Sequence, residues 1–372
     1  MICNPSKTIH ENDLTGKKKS WQDFCSKTAD IRETSRILKI LKPNPKQGVS
    51  LFKVNGKLFS PEATLFNLMD THFLESEEFD EDKLCKAVPI KVRSEDDERF
   101  LNFIDADKVG SALASFGPLK AAGPDQLKPI VLHKIDARTL EYVTEIYKRA
   151  IQRRMVPRQF LEMSVVFIPK QGKDSYDNAK SYRPITLSNF LLKGLERIIQ
   201  WYILDYCVRE PLFAQHAYTV GRSCDSALSD AVDFIERHVL RGKHVLGVSL
   251  DCSGAFDRIK FGSAKTAMLK KNIPECIVDI YCHMLENRKV SATIQGENVA
   301  IIPKRGSPQG GVLSPLIWNL IMDTILLEFR TGPVKVVGYA DDVLLLTAGL
   351  DEDTVLSNMN GALKKEIGRA HV

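Results

Sequence analysis

No cysteine in this chain belongs to a Cys-x-x-Cys pair. The eight (Cys3, Cys25, Cys85, Cys207, Cys224, Cys252, Cys276 and Cys282) are scattered, and the eight histidines complete no zinc-ligand spacing with them. That excludes a readable zinc finger or knuckle and leaves reduced thiols in a cytosolic or nuclear protein as the plain reading. An apolar run long enough to span a membrane is also lacking. The longest, residues 311–329, is interrupted by Ser314-Pro315, Asn319 and Asp323 and reads as a buried helix. Met1-Ile2-Cys3-Asn4-Pro5 does not have the pattern of a secretory leader. Charge of one sign is scarce: a net +5 over 372 residues permits a polyanionic partner without demanding one. No internal repeat or low-complexity tract is present.

Apolar side chains are plentiful, at 44% of the chain, which is enough for a sizeable core in about two or three compact units. In the first part, residues 21–41 carry apolar positions at helical spacing (Phe24, Ile31, Ile37, Leu38, Leu41) and stop before Pro43. Ser60-Pro61-Glu62 opens a second helix through Phe73, with serine as cap and proline in the first turn. An acidic stretch, 75–82, reads as a loop, and a third helix is expected over 95–116. Lys17-Lys18-Lys19 reads as a solvated run. This region is either a linker between enzyme domains or a small helical layer, and its three amphipathic patterns favour the layer.

From Gly117 the texture changes. Gly123-Pro124-Asp125 reads as a turn, 137–154 as a helix, 164–169 as a short buried strand and 187–207 as a long helix. Gly221-Arg222-Ser223 precedes a helix over 225–240. A buried strand over 244–251 ends in an acid. Helices follow at 263–271 and 274–286, a hairpin at 289–302, and a helix at 313–329 that starts at Ser314-Pro315. Two apolar strands over 334–347 enclose Tyr339-Ala340-Asp341-Asp342.

Four segments carry chemistry. Asp341 and Asp342 adjoin at a tight turn between apolar strands. Two adjacent carboxylates repel one another, and a divalent cation is the economical way to offset that. Aspartate also favours exposed turns, so the pair alone reads equally as a solvated hairpin tip. In Gly247-Val248-Ser249-Leu250-Asp251-Cys252-Ser253-Gly254-Ala255-Phe256-Asp257, a strand delivers Asp251 and a small-residue turn then lets backbone approach a ligand; a strand end with a capping aspartate is the plain alternative. In Arg305-Gly306-Ser307-Pro308-Gln309-Gly310-Gly311-Val312-Leu313-Ser314-Pro315, glycines and prolines fix a loop ahead of a helix. Such a loop either presents N–H groups to a ligand or is a rigid connector. In Ile168-Pro169-Lys170 and Ser181-Tyr182-Arg183-Pro184-Ile185, two cations flank a polar loop suited to clasping phosphates, although surface Lys and Arg are common.

In that order, the segments Asp251-x-x-x-Ala255-Phe256-Asp257, Ser307-Pro308-Gln309-Gly310-Gly311-Val312-Leu313-Ser314-Pro315 and Tyr339-Ala340-Asp341-Asp342 resemble the palm motifs of reverse transcriptases from non-LTR (LINE-type) retrotransposons. Gly123-Pro124-Asp125 resembles the family's segment ahead of the fingers, with Gln126 where the family usually has glycine. The resemblance covers about residues 117–350. It implies an α+β right-hand polymerase: a helical extension at 1–117, fingers with the first palm elements at 118–243, an antiparallel palm sheet packed on helices at 244–366, and a thumb expected to be missing from this fragment. Residues 367–372 are expected to be a non-native tail, because one back-translation looks like a sequencing-library adapter.

The resemblance further implies RNA-directed DNA polymerase activity by two-metal nucleotidyl transfer. Asp251, Asp341 and Asp342, with the Cys252 carbonyl, would hold two Mg²⁺ ions, or Mn²⁺ in their place. Lys170 and Arg183 match residues that hold the incoming triphosphate. Phe256 matches an aromatic gate under the sugar, and Gln309 and Gly310 would line the nucleotide and template side. The implied partners are an RNA template, a DNA primer and deoxynucleotides, with no membrane, and an endonuclease domain in the full-length polyprotein. The implied location is cytoplasmic and nuclear, within the element's ribonucleoprotein. An inactive truncated copy that only binds nucleic acid and a group II intron-like or telomerase-like reverse transcriptase are the alternatives. A viral RNA-dependent RNA polymerase usually carries Gly-Asp-Asp instead.

Overall fold

The computed structural model describes Val49 and residues 51–54, 57–78, 94–208, 212–252 and 254–367. The expected helix at 21–41, the Lys17–Lys19 run, Ser253, the tail beyond Ile367 and Cys3, Cys25 and Cys85 lie outside the described residues. Ser50–Val372 clusters as one unit.

Strands β1 (Lys53–Val54) and β2 (Lys57–Leu58) pair antiparallel ahead of the first helix. Local sequence sets most element starts. Helix α1 (Pro61–His72) begins where Ser60 accepts a hydrogen bond from the Ala63 N–H with proline in the first turn. Its Leu65, Leu68 and Met69 are buried against strands β7 (Lys289–Ile294) and β8 (Glu297–Ile302), which form the expected hairpin. Residues 95–116 form two helices rather than one. Helix α2 (Glu95–Phe103) starts at a capping box between Ser94 and Asp97, and α3 (Ala106–Ala114) restarts at Asp105, which accepts from the Lys108 N–H at 2.7 Å. Helix α4 (Ala137–Arg153) follows the expected span and ends at Arg154 in the left-handed conformation (φ 53°). Arg154 is 5% exposed and bonds Asp97 at 2.7 Å and Asp279 at 2.6 Å, so it ties the ends of three helices together.

Strands β4 (Glu162–Pro169) and β5 (Tyr182–Ser188) pair antiparallel around the polar loop. The helix expected from 187 starts later, because Ser188 still pairs with Met163. Asn189 then caps α5 (Phe190–Tyr202) by accepting from the Leu192 N–H at 2.7 Å, and a π-turn, Ile203–Cys207, closes it. With β3 (Glu77–Glu78) these strands form a five-stranded sheet ordered β3-β8-β7-β4-β5, in which only β4 and β7 run parallel. Part of the acidic 75–82 stretch is therefore a strand, not a loop. Strand β4 alternates, leaving Val166 and Ile168 exposed, so it is half-buried instead of buried.

The second sheet has three strands ordered β6-β10-β9: β6 (His244–Asp251), β10 (Asp342–Gly349) and β9 (Val334–Tyr339), all antiparallel. Strand β6 also alternates instead of being fully buried. Val343 and Leu345 of β10 face the main core with helices α7 (Phe261–Lys270), α8 (Glu275–Asn287), α9 (Ser314–Leu326) and α10 (Glu352–Ile367). Leu344 and Leu346 face Ala227 and Ala231 of α6 (Cys224–Val239), which starts at a Ser223 capping box. The expected helix at 313–329 ends at Leu326 and runs on as a 3-10 turn. It is buried, and its one acid, Asp323 (1% exposed), is paired with Lys271 at 2.6 Å and accepts from the Phe213 N–H at 2.7 Å. Among the described residues no helix is long and apolar enough to cross a membrane.

Candidate active site

The alternation of β10 puts Asp342 on the same face as Leu344 and Leu346, at the strand's first position. Its register partner across the ladder is Asp251, the last residue of β6. Directly opposed residues in an antiparallel pair share a face, so two carboxylates remote in sequence meet at one end of the sheet. The third, Asp341, occupies the two-residue turn Ala340–Asp341 between Tyr339 and Asp342. The Cys252 N–H donates to the Asp341 carbonyl at 3.1 Å, extending the ladder past Asp251. These four residues are brought together.

The turn itself is held from two sides. Ala340 has φ 56°, a conformation that a two-residue hairpin demands and glycine usually supplies. Trp318 of α9 donates from its indole Nε1 to the Ala340 carbonyl at 3.0 Å. Gln215 donates from Nε2 to the same carbonyl at 3.2 Å and accepts on Oε1 from the Ala340 N–H at 3.0 Å. Trp318 also faces Phe256, with ring centroids 5.9 Å apart.

Phe256 lies in the turn 254–258, and its carbonyl accepts from the Ser307 N–H at 2.8 Å, while the Ile259 carbonyl accepts from the Gly306 N–H at 2.8 Å. The glycine loop is thereby laced to the segment that follows Asp251. Further along, the Gln309 carbonyl accepts from the Thr186 N–H of β5 at 2.8 Å. Gly310 has φ 125°, and a Cβ there would lie 2.6 Å from the Thr186 carbonyl oxygen. The loop thus bridges the two sheets, and Gln309 and Gly310 sit where it touches β5.

Lys170 and Arg183 stand at the far end of that β4–β5 hairpin, where Arg183 is the register partner of Ile168. Neither makes a hydrogen bond or ion pair with the three aspartates among the described residues. Burial, with the nearby Arg183 and Lys173 cations, holds the Lys170 ammonium below its ordinary value against the pull of Asp257. Lys170, Arg183 and Asp257 therefore address one region.

Sequence reasoning missed several residues here. Gln215 is fully buried and its partners lie 125 positions away, so no local signal marks it. Tyr218 is raised by burial and then by Asp341 and Tyr339, which places its phenol near the acidic turn. His72, at the end of α1, lies 3.5 Å from Asp257. Glu196 of α5 is buried beneath the glycine loop, where it accepts from the Val312 N–H at 3.2 Å and its other oxygen has no partner. An acid four positions after Leu192 and three before Ile199, within the apolar stripe of the helix, was the available signal.

Burial pushes the Glu196 carboxyl above its ordinary value of about 4.5, outweighing the Val312 hydrogen bond and the Lys193 and Arg197 cations. The folded chain therefore binds this proton more tightly than the unfolded one. Stability falls as pH rises above about 4.5 and through the folded value. Glu196→Gln removes that term, so the variant should gain a few degrees of Tm over the wild type at pH 8, with the gap closing toward pH 4.5. Thermal unfolding across that range checks it; a gap that does not change with pH contradicts a raised Glu196 carboxyl.

Metal fit follows from the donor set. Among the described residues no three His, Cys, Asp or Glu side chains close on one point as a ready-made cage. Three carboxylates at one sheet end are hard oxygen donors, and Mg²⁺ is characteristically held by one or two carboxylates together with substrate phosphates and waters. The residues present fit such an ion.

Comparison with known proteins gives the family. The profile described as "Reverse transcriptase (RNA-dependent DNA polymerase)" matches residues 168–368, more than half of the chain. The Pol polyprotein of the type-1 retrotransposable element R1 of Bradysia coprophila is 25% identical over 88% of this chain and 32% of its own length. From Drosophila melanogaster, the probable RNA-directed DNA polymerase of transposon BS is 24% identical over 65% of this chain and 28% of its own length. That of mobile element jockey is 26% identical over 66% and 28%. The chain spans about a third of the length of these curated relatives. With the profile covering β5, β7 and β8, the whole three-stranded sheet and the acidic turn, the chain belongs to the reverse transcriptase (RNA-dependent DNA polymerase) family, and its relatives are the retrotransposon enzymes that its motifs resemble.

Proposed function

We propose that this chain carries the fingers and palm of a non-LTR retrotransposon's RNA-directed DNA polymerase, which adds deoxynucleotides to a primer 3′-hydroxyl on an RNA template. The observation that carries this is the register pairing of Asp251 with Asp342, with Asp341 in the adjoining turn. Residues 118–243 correspond to fingers with the first palm elements, 244–366 to the palm, and 1–117 to a helical extension. Asp251, Asp341, Asp342 and the Cys252 carbonyl hold two Mg²⁺ ions, or Mn²⁺. When bound, these supply activation of the primer hydroxyl and neutralisation of charge on the triphosphate. Lys170 and Arg183 clasp the triphosphate across the gap that separates them from the acidic end, leaving catalysis mainly to positioning and charge stabilisation. Gln309 and Gly310 line the nucleotide and template side, on backbone pinned to β5. The element's ribonucleoprotein would work in cytoplasm and nucleus, with an endonuclease elsewhere in the polyprotein.

The test is single-nucleotide extension of a DNA primer on an RNA template by the purified chain. Template-directed incorporation that EDTA abolishes supports the reading, and a chain that never extends a primer at any Mg²⁺ or Mn²⁺ concentration rejects it. In the same assay Phe256→Ala should admit ribonucleotides. Phe256 is backed by Trp318 and cannot retreat easily, so it clashes with a 2′-hydroxyl. Removing the ring should lower discrimination at least about tenfold. Unchanged discrimination would remove Phe256 from the sugar pocket.

A further inference from the structure

The acidic turn depends on a residue outside every motif recognised above. We infer that Gln215 is a positioning residue whose primary amide holds the Ala340–Asp341 turn in the conformation that presents Asp341 and Asp342 beside Asp251. This rests on the function proposed above.

Gln215 is wholly excluded from solvent. Its amide treats Ala340 as a strand treats its neighbour: Oε1 accepts from the Ala340 N–H at 3.0 Å and Nε2 donates to the Ala340 carbonyl at 3.2 Å. Both backbone groups of one turn residue are thus caught by one side chain. The same Oε1 accepts from the Ala217 N–H at 3.1 Å, which fixes which end of the amide is oxygen.

The side chain starts from an anchored backbone. Gln215 bridges Gly338 in parallel, with the Gly338 N–H donating to the Ala214 carbonyl at 2.7 Å and the His216 N–H donating to the Gly338 carbonyl at 2.8 Å. Arg222 donates to the Gln215 carbonyl at 2.7 Å. The segment therefore meets β9 at Gly338, and its amide reaches past the end of that strand to the turn.

The turn needs such a hold. Ala340 is not glycine, yet it has φ 56°, and a strained non-glycine conformation persists only where its surroundings over-determine it. Released, the turn can relax to a commoner form, and the two aspartates that leave it would point elsewhere. Only a neutral amide of this length offers an acceptor and a donor together. Glutamate would set a buried charge and an unpaired acceptor against the Ala340 carbonyl. Trp318 supplies the second donor to that carbonyl at 3.0 Å, so the two side chains should act as a coupled pair.

The experiment compares the wild-type chain with Gln215→Met, which keeps length and bulk and removes every side-chain hydrogen bond. Trp318→Phe is a milder variant that removes only one donor. The measurements are hydrogen exchange at the Ala340 amide, Mn²⁺ affinity by titration calorimetry, and kcat and KM for primer extension. Gln215→Met should lose the exchange protection at Ala340. It should bind Mn²⁺ at least about tenfold more weakly, because misplaced ligands cannot share an ion. Its kcat should fall about a hundredfold with KM for primer–template within about threefold, as a misplacement of about an ångström costs. Adding Ala340→Gly should recover about tenfold of that loss, because glycine takes positive φ without strain. A residue that merely fills the core would not respond to that second change.

Wild-type exchange protection and Mn²⁺ affinity in Gln215→Met would overturn the inference, as would a kcat deficit that Ala340→Gly leaves untouched. Should Gln215→Met fail to fold, Gln215→Asn, which keeps the amide but shortens its reach, decides by the same measurements: faster exchange at Ala340 supports the hold and unchanged exchange refutes it. A wild-type chain that neither binds Mn²⁺ nor extends a primer defeats the proposed polymerase function. Exchange at Ala340 still reports whether Gln215 holds the turn.

Discussion

Replacing Asp342 by asparagine should cut template-directed incorporation at least about a thousandfold, equivalent to about 4 kcal/mol of transition-state stabilisation. The fold should be left intact. Asp342 is exposed at the first position of β10. Asparagine has nearly the same shape, keeps the oxygen and loses only the charge. Its backbone pairing with Asp251 and Tyr339 is unaffected. Losing one of three clustered negative charges relieves repulsion, so the metal-free Tm should hold or rise slightly. The distinguishing reading is ligand-dependent: Mg²⁺ or Mn²⁺ should raise the wild-type Tm, as any ligand of the native state does, and should raise that of the variant far less. Asp251→Asn should behave alike. Incorporation that survives either change at wild-type rates would contradict the assignment of these carboxylates as metal ligands.

Gly310→Ala should be nearly as damaging, through geometry and not charge. Gly310 takes φ 125°, and a Cβ would stand 2.6 Å from the Thr186 carbonyl oxygen. That oxygen belongs to β5, whose register with β4 is fixed along its whole length. The strand cannot give way, so the loop must lift off, and the Thr186 N–H bond to Gln309 goes with it. Incorporation should drop about a hundredfold, the scale of an ångström-sized misplacement, with a Tm loss of several degrees. Gly172→Ala is the control. It also has positive φ (74°), but nothing lies within 4 Å of a Cβ there. It should cost only the backbone strain, about 1 kcal/mol, and leave activity alone. Equal effects at the two positions would mean that contact with β5 is irrelevant.

Much of the site was legible because its signals are local. Valines and leucines on both sides of Tyr339-Ala340-Asp341-Asp342 announce a hairpin, and Ser60 and Ser223 announce helix starts. What escaped has physical causes. Phe100, Ile104 and Val109 keep an almost helical spacing through 95–116, which hides the break that Asp105 makes by capping a new helix. Ile185 and Leu187 continue smoothly into the apolar pattern of α5, so the strand-to-helix switch at Asn189 is visible only through its cap bond. Two glutamates give no strand signal, yet Glu77 and Glu78 pair with Ile302 and Ile301 because an edge was open. Alternation was present in 162–169 and 244–251 but was read as burial, since branched residues on an exposed face look the same as those in a core. Gln215 was invisible for a deeper reason: it acts on a turn 125 positions away, and Glu196, marked only by its place in the apolar stripe of α5, meets the glycine loop 116 positions on.

The order of strands in the smaller sheet sets a timetable. The middle strand, β10, is the last of the three to be synthesised, while its flanking partners β6 and β9 are made before it. On a translating ribosome the helices and the first sheet can begin to consolidate while β6 waits with one edge uncovered, because long-range pairing is slow and depends on the partner's arrival. The acidic turn therefore cannot meet Asp251 until residues 342–349 emerge and pair between β6 and β9.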